Sequence, residues 1–193
     1  MKLFSFTGAS GIGKDYLKRI ALRRFPFLQE LMWFTTRPLR DNEKSSGNRR
    51  TVSRDDFLKL KQEKHLALTQ ELGETWYGLE VRPLLDGKTS DGFFLTELHV
   101  DNLCRIENEL GIIPTSIGLF PSNVDFLRYR LEKRKSETAT EVERRLAASV
   151  REIEKMESMR THFALTLTIS KSNEDHVHHD LLSFLNSQIQ NPL

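Results

Sequence analysis

Gly8-Ala9-Ser10-Gly11-Ile12-Gly13-Lys14-Asp15 is the stretch from which the fold follows. Three closely spaced glycines precede a lysine. The apolar run Leu3–Thr7 leads in and a helical pattern, Asp15–Arg24, leads out. A backbone that wraps closely round phosphate oxygens needs glycine where the approach is tightest. Its N–H groups then converge on the anion, and the positive end of the following helix adds attraction. Gly8, Gly11 and Gly13 suit those points, Ala9, Ser10 and Ile12 complete the loop, and Lys14 is placed to meet β and γ phosphates. Strand, glycine loop and helix in that order are the context that confirms a phosphate-binding loop. Asp15 departs from the usual form. It stands where a serine or threonine hydroxyl normally meets magnesium, although a carboxylate is itself a good magnesium ligand.

Outward from the loop, further apolar runs at Leu31–Phe34, Phe93–Thr96, Thr115–Leu119 and Ala164–Ile169 read as buried parallel strands. Helical patterns separate them at Ser53–Lys64, His99–Leu110, Ser122–Lys135, Thr140–Arg160 and Glu174–Gln190. Alternating strands and helices predict an α/β fold of three layers with a parallel core sheet, as in P-loop NTPases. Residues 37–92 form a long insertion. Its segments Leu66–Gln70 and Thr75–Leu79 read as strands of a small acceptor-binding lobe, and the charged residues 128–151 as a helical lid. The expected organisation is one domain over 1–193, with a core of 1–36, 93–127 and 152–193.

At 193 residues the chain is long enough for one well-buried core, and 38% hydrophobic with 29% charged residues suits a globular protein rather than a disordered one. Its 29 basic and 27 acidic residues leave a formal charge of +2, too balanced for nucleic acid as the main partner. No apolar run approaches the ~18 residues of a membrane span, so no membrane partner is expected. The apolar start runs directly into the glycine loop, unlike a secretory leader. Cys104 alone can form neither an internal disulfide nor a thiolate metal cage, which points to a reducing, cytoplasmic setting. On its predicted helix Cys104 reads as a packed side chain rather than a nucleophile. His176, His178 and His179 read as a solvated helix face.

Arginines recur at telling places. Arg37 and Arg40 flank Pro38-Leu39, and Arg130, Arg134 and Arg145 follow the fourth core strand. Taken alone, Arg130 and Arg134 make an ordinary solvated i,i+4 face, and Arg37 and Arg40 a basic surface turn. Beside a phosphate loop they acquire another meaning. Phosphoryl transfer between two phosphorylated molecules gathers negative charge, and guanidinium forks bind two phosphate oxygens at once while staying ionised.

These segments together resemble the guanylate kinase family, P-loop nucleoside monophosphate kinases, from Leu3 to about Leu185. Thr35-Thr36-Arg37-Pro38-Leu39-Arg40 with Glu43 resembles its TTRxxR…E signature, whose arginines grip the acceptor phosphate. Trp76-Tyr77-Gly78 resembles its YYG turn, in which the second tyrosine touches that phosphate. Arg130-Leu131, Arg134 and Arg144-Arg145-Leu146 reproduce its lid pattern RLxxR…RRL. The resemblance implies an ATP-dependent kinase using Mg2+ and acting on the phosphate of a small phosphorylated acceptor. It implies Lys14, Arg130, Arg134 and Arg145 as catalytic, the loop Gly8 to Asp15 on ATP, and Arg37, Arg40, Arg49, Tyr77 and Glu97 on the acceptor. Glu97 falls, counted ungapped from Gly78, where the family carries an aspartate. It reads either as a metal or acceptor ligand, with Asp15 the other metal candidate, or as a solvent-facing carboxylate at a helix start.

Base recognition departs from that family. Its guanine-reading glutamate matches Leu68, two of its serines match Trp33 and Leu79, and a phosphate-binding tyrosine matches Arg49. Buried guanine donors left without partners cost about 1–3 kcal/mol each, which argues against ordinary GMP selectivity. Ribose 1,5-bisphosphate phosphokinases resemble this chain in Asp15, in Leu68, and across Leu66 to Gly78 in Ala67, Glu71, Tyr77 and Gly78. Arg40 and Glu43 look more like guanylate kinase, and the stretch around Glu97 lacks the other family's NGSR pattern. GMP and ribose 1,5-bisphosphate both stand as acceptors, the latter slightly favoured. A non-catalytic guanylate-kinase-like module binding phosphorylated ligands is the competing class.

Overall fold

The computed structural model describes residues 1–39, 47–86, 92–133 and 138–190. In chain order the elements are β1 Lys2–Gly8, α1 Lys14–Arg24, β2 Gln29–Glu30, β3 Trp33–Thr35, β4 Arg49–Thr51, α2 Arg54–Gln62, β5 Leu66–Leu72, β6 Thr75–Glu80 and α3 Arg82–Asp86. Then follow β7 Phe93–Glu97, α4 Asn102–Leu110, β8 Thr115–Pro121, α5 Val124–Glu132, α6 Ala139–Ser158, a 3-10 turn Arg160–His162, β9 Leu165–Ile169 and α7 Glu174–Gln190.

The fold is α/β, with a parallel five-stranded core sheet in the order β2-β7-β1-β8-β9 and a separate mixed sheet in the order β4-β3-β6-β5. Strand β1 is central, so the glycine loop leaves the carboxyl end of the middle strand, where open α/β sheets bind ligands. One strand lies elsewhere than its sequence predicts. Leu31–Phe34 reads as the second core strand, yet the core strand is Gln29–Glu30 and residues 33–35 belong to the small sheet. The physical reason is that both faces of this segment are buried in the small sheet as well, with Trp33, Phe34 and Thr35 all covered. A continuous apolar run therefore carries no mark of which sheet receives it. Leu31 makes a further backbone link to the core strands, donating its N–H to Leu95 O at 2.9 Å.

The chain forms two compact units. The first comprises Met1–Phe4, Phe27–Thr96 and Asp101–Pro114. Its small sheet pairs β3 with β6 and β5 with β6 antiparallel, and β3 with β4 parallel. Residues facing one another in register share a face. Phe34 and Leu66 therefore point to one side, where they form a core with Phe57 of α2 and the half-buried Trp76. Helix α2 starts at Ser53, whose hydroxyl accepts the Asp56 N–H at 3.0 Å. Strand β5 breaks register between Ala67 and Gln70, and Leu68 there adopts φ 52°. Glu109 of α4 accepts the displaced Leu68 N–H at 2.8 Å, while Arg105 holds Glu109 at 2.7 Å and the Thr69 carbonyl at 3.2 Å.

The second unit comprises Ser5–Pro26, Glu97–Val100 and Thr115–Leu193. Phe6 of β1, Ile117 and Leu119 of β8, and Leu167 of β9 are buried in it. Helix α1 packs on α7, and α5 on α6. Ser5 and Ser116, both buried, satisfy one another through a 2.9 Å hydrogen bond. Cys104, in the first unit, is exposed rather than packed, because α4 buries Asn102, Leu103 and Ile106 and turns position 104 away. Among the described residues no helix is long and apolar enough to cross a membrane.

Gly118 of β8 leaves room for the buried ring of Phe163, which stacks edge-on against Phe120. A methyl group at position 118 would lie 2.8 Å from Phe163 Cγ, an atom that moves only with the whole ring. Gly118→Ala is expected to destabilise the fold by about 1–3 kcal/mol, read as a lower midpoint in thermal or urea unfolding.

Candidate functional site

The glycine loop has the backbone its sequence requires. Gly11 and Gly13 take φ 90° and 112°, conformations that side-chain-bearing residues rarely adopt. Lys14 opens α1 and folds back, donating its ammonium to the carbonyls of Gly8 and, at 3.2 Å, of Ala9. Two arginines from helices α5 and α6 reach the same loop. Arg130 of α5 donates Nε–H to the Gly11 carbonyl at 3.1 Å, and Arg145 of α6 donates to the Ser10 hydroxyl. An Arg130 nitrogen lies 3.3 Å from where a side chain at Gly13 would begin, so that glycine makes room for the guanidinium as well as for the turn. Arg134 lies outside the described residues.

Helices α5 and α6 are joined by Arg128, whose guanidinium forks onto both carboxylate oxygens of Glu143. That hydrogen bond, more than the bare charge, holds the Glu143 carboxyl below its ordinary range, and desolvation opposes it only in part. Thr138 caps α6 by accepting the Glu141 N–H at 3.3 Å.

Asp15 and Glu97, the two expected metal ligands, share a partner that the sequence reading omits. Lys18 of α1 is buried, its side chain 3% exposed, with Nζ 3.5 Å from Asp15 Oδ1 and 4.0 Å from Glu97 Oε1. The Glu97 side chain is 11% exposed, so of its two sequence readings the solvent-facing one does not hold. A signal for Lys18 was present: on a helix burying Leu17 and Ala21, position 18 falls on the inward face. Among the described residues no group of three or more His, Cys, Asp and Glu is placed to hold a metal. Asp15 and Glu97 share the Lys18 ammonium as a counter-charge, which weighs against a divalent ion held directly by the pair. His176 and His179 are exposed, as expected of a solvated face, whereas His178 is half-buried with its ring 5.3 Å from that of Tyr16.

In the first unit, register puts Arg49, Trp33, Leu79 and Ala67 in one row across the small sheet, and Thr51, Thr35 and Tyr77 in a parallel row on the same face. This is the face opposite the Phe34 and Phe57 core. Arg37, just past β3, donates Nε–H to the Tyr77 hydroxyl at 3.0 Å and lies 5.8 Å from the centre of that ring. Arg37, Arg49 and Tyr77 are thus gathered by one sheet, all half-buried. Arg40 and Glu43 lie outside the described residues. Trp33, Leu68 and Leu79 are 8%, 0% and 0% exposed, and the Trp33 indole N–H reaches the Thr96 hydroxyl at 3.2 Å. Thr96, Arg105 and Glu109 are further residues that sequence reasoning missed. Each acts through a partner at least 36 positions away, so no local pattern announces it.

No family model matches the chain. Curated relatives do. It is 27% identical over 150 residues to the guanylate kinase of Sulfurimonas denitrificans, covering 78% of this chain and 73% of that protein. It is 28% identical over 155 residues to the guanylate kinase of Nostoc sp., covering 79% and 76%. Among solved structures, guanylate kinase from Anaplasma phagocytophilum matches in fold with a TM-score of 0.69, covering 99% of this chain and 87% of that one at 15% identity.

The Arg128–Glu143 pair gives the arginine-bearing helices a pH dependence of known sign. A carboxyl whose folded pKa is lowered contributes stability above its unfolded range and loses it as pH falls through the folded value. Between about pH 7 and about pH 3, Glu143→Gln is expected to lower the melting temperature slightly at the neutral end and to converge with the parent at the acid end. Melts followed by circular dichroism across that range check it.

Proposed function

Taking the chain as a distant homologue of the guanylate kinases, we propose that it transfers the γ-phosphoryl group of ATP to a phosphate of a small phosphorylated acceptor. It would work as a single domain with a core of 1–36, 93–127 and 152–193, an acceptor insertion over 37–92 and a lid over 128–151. The observation that carries the proposal is the convergence of Lys14, Arg130 and Arg145 on the loop Gly8 to Asp15.

In this reading an acceptor phosphate oxygen forms a bond to the γ-phosphorus as the bond to the β,γ-bridging oxygen breaks, leaving ADP. No strong general base is needed, because a phosphate oxygen is already ionised at neutral pH. The loop N–H groups and the start of α1 hold the polyphosphate. Lys14 moves its ammonium from the Gly8 and Ala9 carbonyls to the β and γ oxygens. Arg130, Arg134 and Arg145 spread positive charge over the transferring group, which is most of what such catalysis requires. Magnesium carried by ATP would supply further neutralisation. Arg37, Arg40, Arg49 and Tyr77 hold the acceptor phosphate, and the Arg37–Tyr77 hydrogen bond fixes two of these groups relative to each other. Glu97, which the resemblance places on the acceptor, would instead act on the donor side through Lys18.

For the acceptor, burial favours a molecule without a base. Trp33, Leu68 and Leu79 stand where the resemblance expects polar groups for guanine, and all three are covered by the protein itself. The Leu68 N–H is taken by Glu109 as well. Ribose 1,5-bisphosphate offers a second phosphate in place of a base, which suits the added charge of Arg49.

Steady-state ATP consumption with GMP, dGMP and ribose 1,5-bisphosphate tests this reading. Ribose 1,5-bisphosphate is expected to exceed GMP in kcat/KM by at least about tenfold, and Lys14→Ala to lower kcat by about 10²–10³. Turnover of GMP alone would restore the guanylate kinase acceptor. Absence of turnover together with absence of magnesium-dependent ATP binding would leave only a binding module.

A further inference from the structure

We propose that Lys18 is a resident cation of the donor loop, its ammonium serving the Asp15–Glu97 pair in place of a directly bound divalent ion. Magnesium then reaches the protein only as its complex with the triphosphate. This rests on the ATP-donor half of the reading above and is independent of the acceptor.

Position 18 is one helical turn beyond Lys14 and three residues beyond Asp15, so the three side chains rise from neighbouring places on α1. They end differently. Lys14 turns back to loop carbonyls, whereas Lys18 runs inward, 3% exposed, to within 3.5 Å of Asp15 Oδ1 and 4.0 Å of Glu97 Oε1. A buried ammonium is tolerated only with compensating charge, and these carboxylates supply it. The aspartate at the place of the usual hydroxyl and the glutamate at the end of β7 are thereby accounted for as a matched set with Lys18. Magnesium by contrast demands a near-octahedral shell of oxygens at about 2.0–2.1 Å and gives up its water reluctantly. With the ammonium beside both carboxylates, a divalent ion would compete for the same lone pairs and meet a like charge at contact range. Lys18 is accordingly a positioning residue, which acts on the donor site through Asp15, the immediate neighbour of Lys14, and through Glu97.

The direct test is Mn2+ binding to the full chain without nucleotide, followed by the electron paramagnetic resonance of the free ion. The unaltered protein is expected to show no saturable binding. Lys18→Met, which keeps the apolar stem and removes the charge, is expected to create a saturable site, an affinity gain of at least about tenfold over any weak binding by the unaltered protein. Adding Glu97→Gln to that variant should abolish the gain. Mn2+ bound by the unaltered protein as tightly as by Lys18→Met, or no gain in a folded Lys18→Met, overturns the inference. Should Lys18→Met fail to fold, the carboxyl carbon resonances of Asp15 and Glu97 in the unaltered protein decide. They should stay unmoved on adding Mg2+ alone, and a saturable shift of both overturns the proposal. ATP binding in the presence of Mg2+ is measured separately. Its loss would sink the kinase reading while leaving the ion-binding result to stand or fall by itself.

Discussion

Lys14 and Arg130 end on backbone carbonyl oxygens of one short loop, and what the loop can attract depends on that choice of partner. A carbonyl satisfies the hydrogen-bonding of a cation without cancelling its charge. Both groups are held in place while their field remains available to an anion. At an effective dielectric of about 20, a pair of opposite unit charges about 4 Å apart is worth about 4 kcal/mol, so cations held in this way attract a polyphosphate strongly. Lys18, one turn along the same helix, ends on carboxylates, and its charge is spent within the protein. Two lysines four positions apart thus do opposite things, and the difference lies in partner chemistry rather than residue type.

The glycine loop was legible in the sequence because its demands are local. Positive φ at Gly11 and Gly13 and a helix beginning at Lys14 are consequences of eight consecutive residues. Burial is not local in this sense. The run at residues 31–34 announces that both faces of a strand are covered, but which sheet covers them depends on β6, more than forty residues later. For Lys18 helical phase marks the inward face, but its partners are not local either. A single lysine on an amphipathic helix usually snorkels to solvent, and only the arrival of Glu97 at the end of β7 makes the inward path favourable. Cys104 shows the reverse case, where helical phase alone turns an apolar side chain outward.

The small sheet of the first unit illustrates how one element serves packing and chemistry together. Period-two alternation gives one face to Phe34 and Leu66, which with Phe57 of α2 provide its stability. The other face mixes Arg49 and Tyr77 with buried Trp33 and Leu79. Polar groups that read a nucleobase must be left waiting for it, at a desolvation cost when the base is absent. Trp33, Leu68 and Leu79 remove that cost, and the Trp33 indole N–H finds Thr96 within the protein.

That exchange leaves the small sheet unequally supplied for the proposed acceptor. Arg37 and Arg49 bring charge, whereas the row from Arg49 to Ala67 offers apolar carbon where the resemblance expects base-reading groups. Leu68 reinforces the asymmetry. A leucine at φ 52° is a conformation of order 1–3 kcal/mol above the usual regions, and it persists because Glu109, itself held by Arg105, takes the displaced N–H. A bulge so braced cannot relax to present backbone donors or acceptors to a base without giving up the Glu109 contact. If the proposed reading holds, selectivity would rest on where the phosphates of an acceptor fall relative to Arg37 and Arg49. In the proposed kinase, spacing between phosphates rather than the pattern of a nucleobase edge would then be the quantity that selects the acceptor.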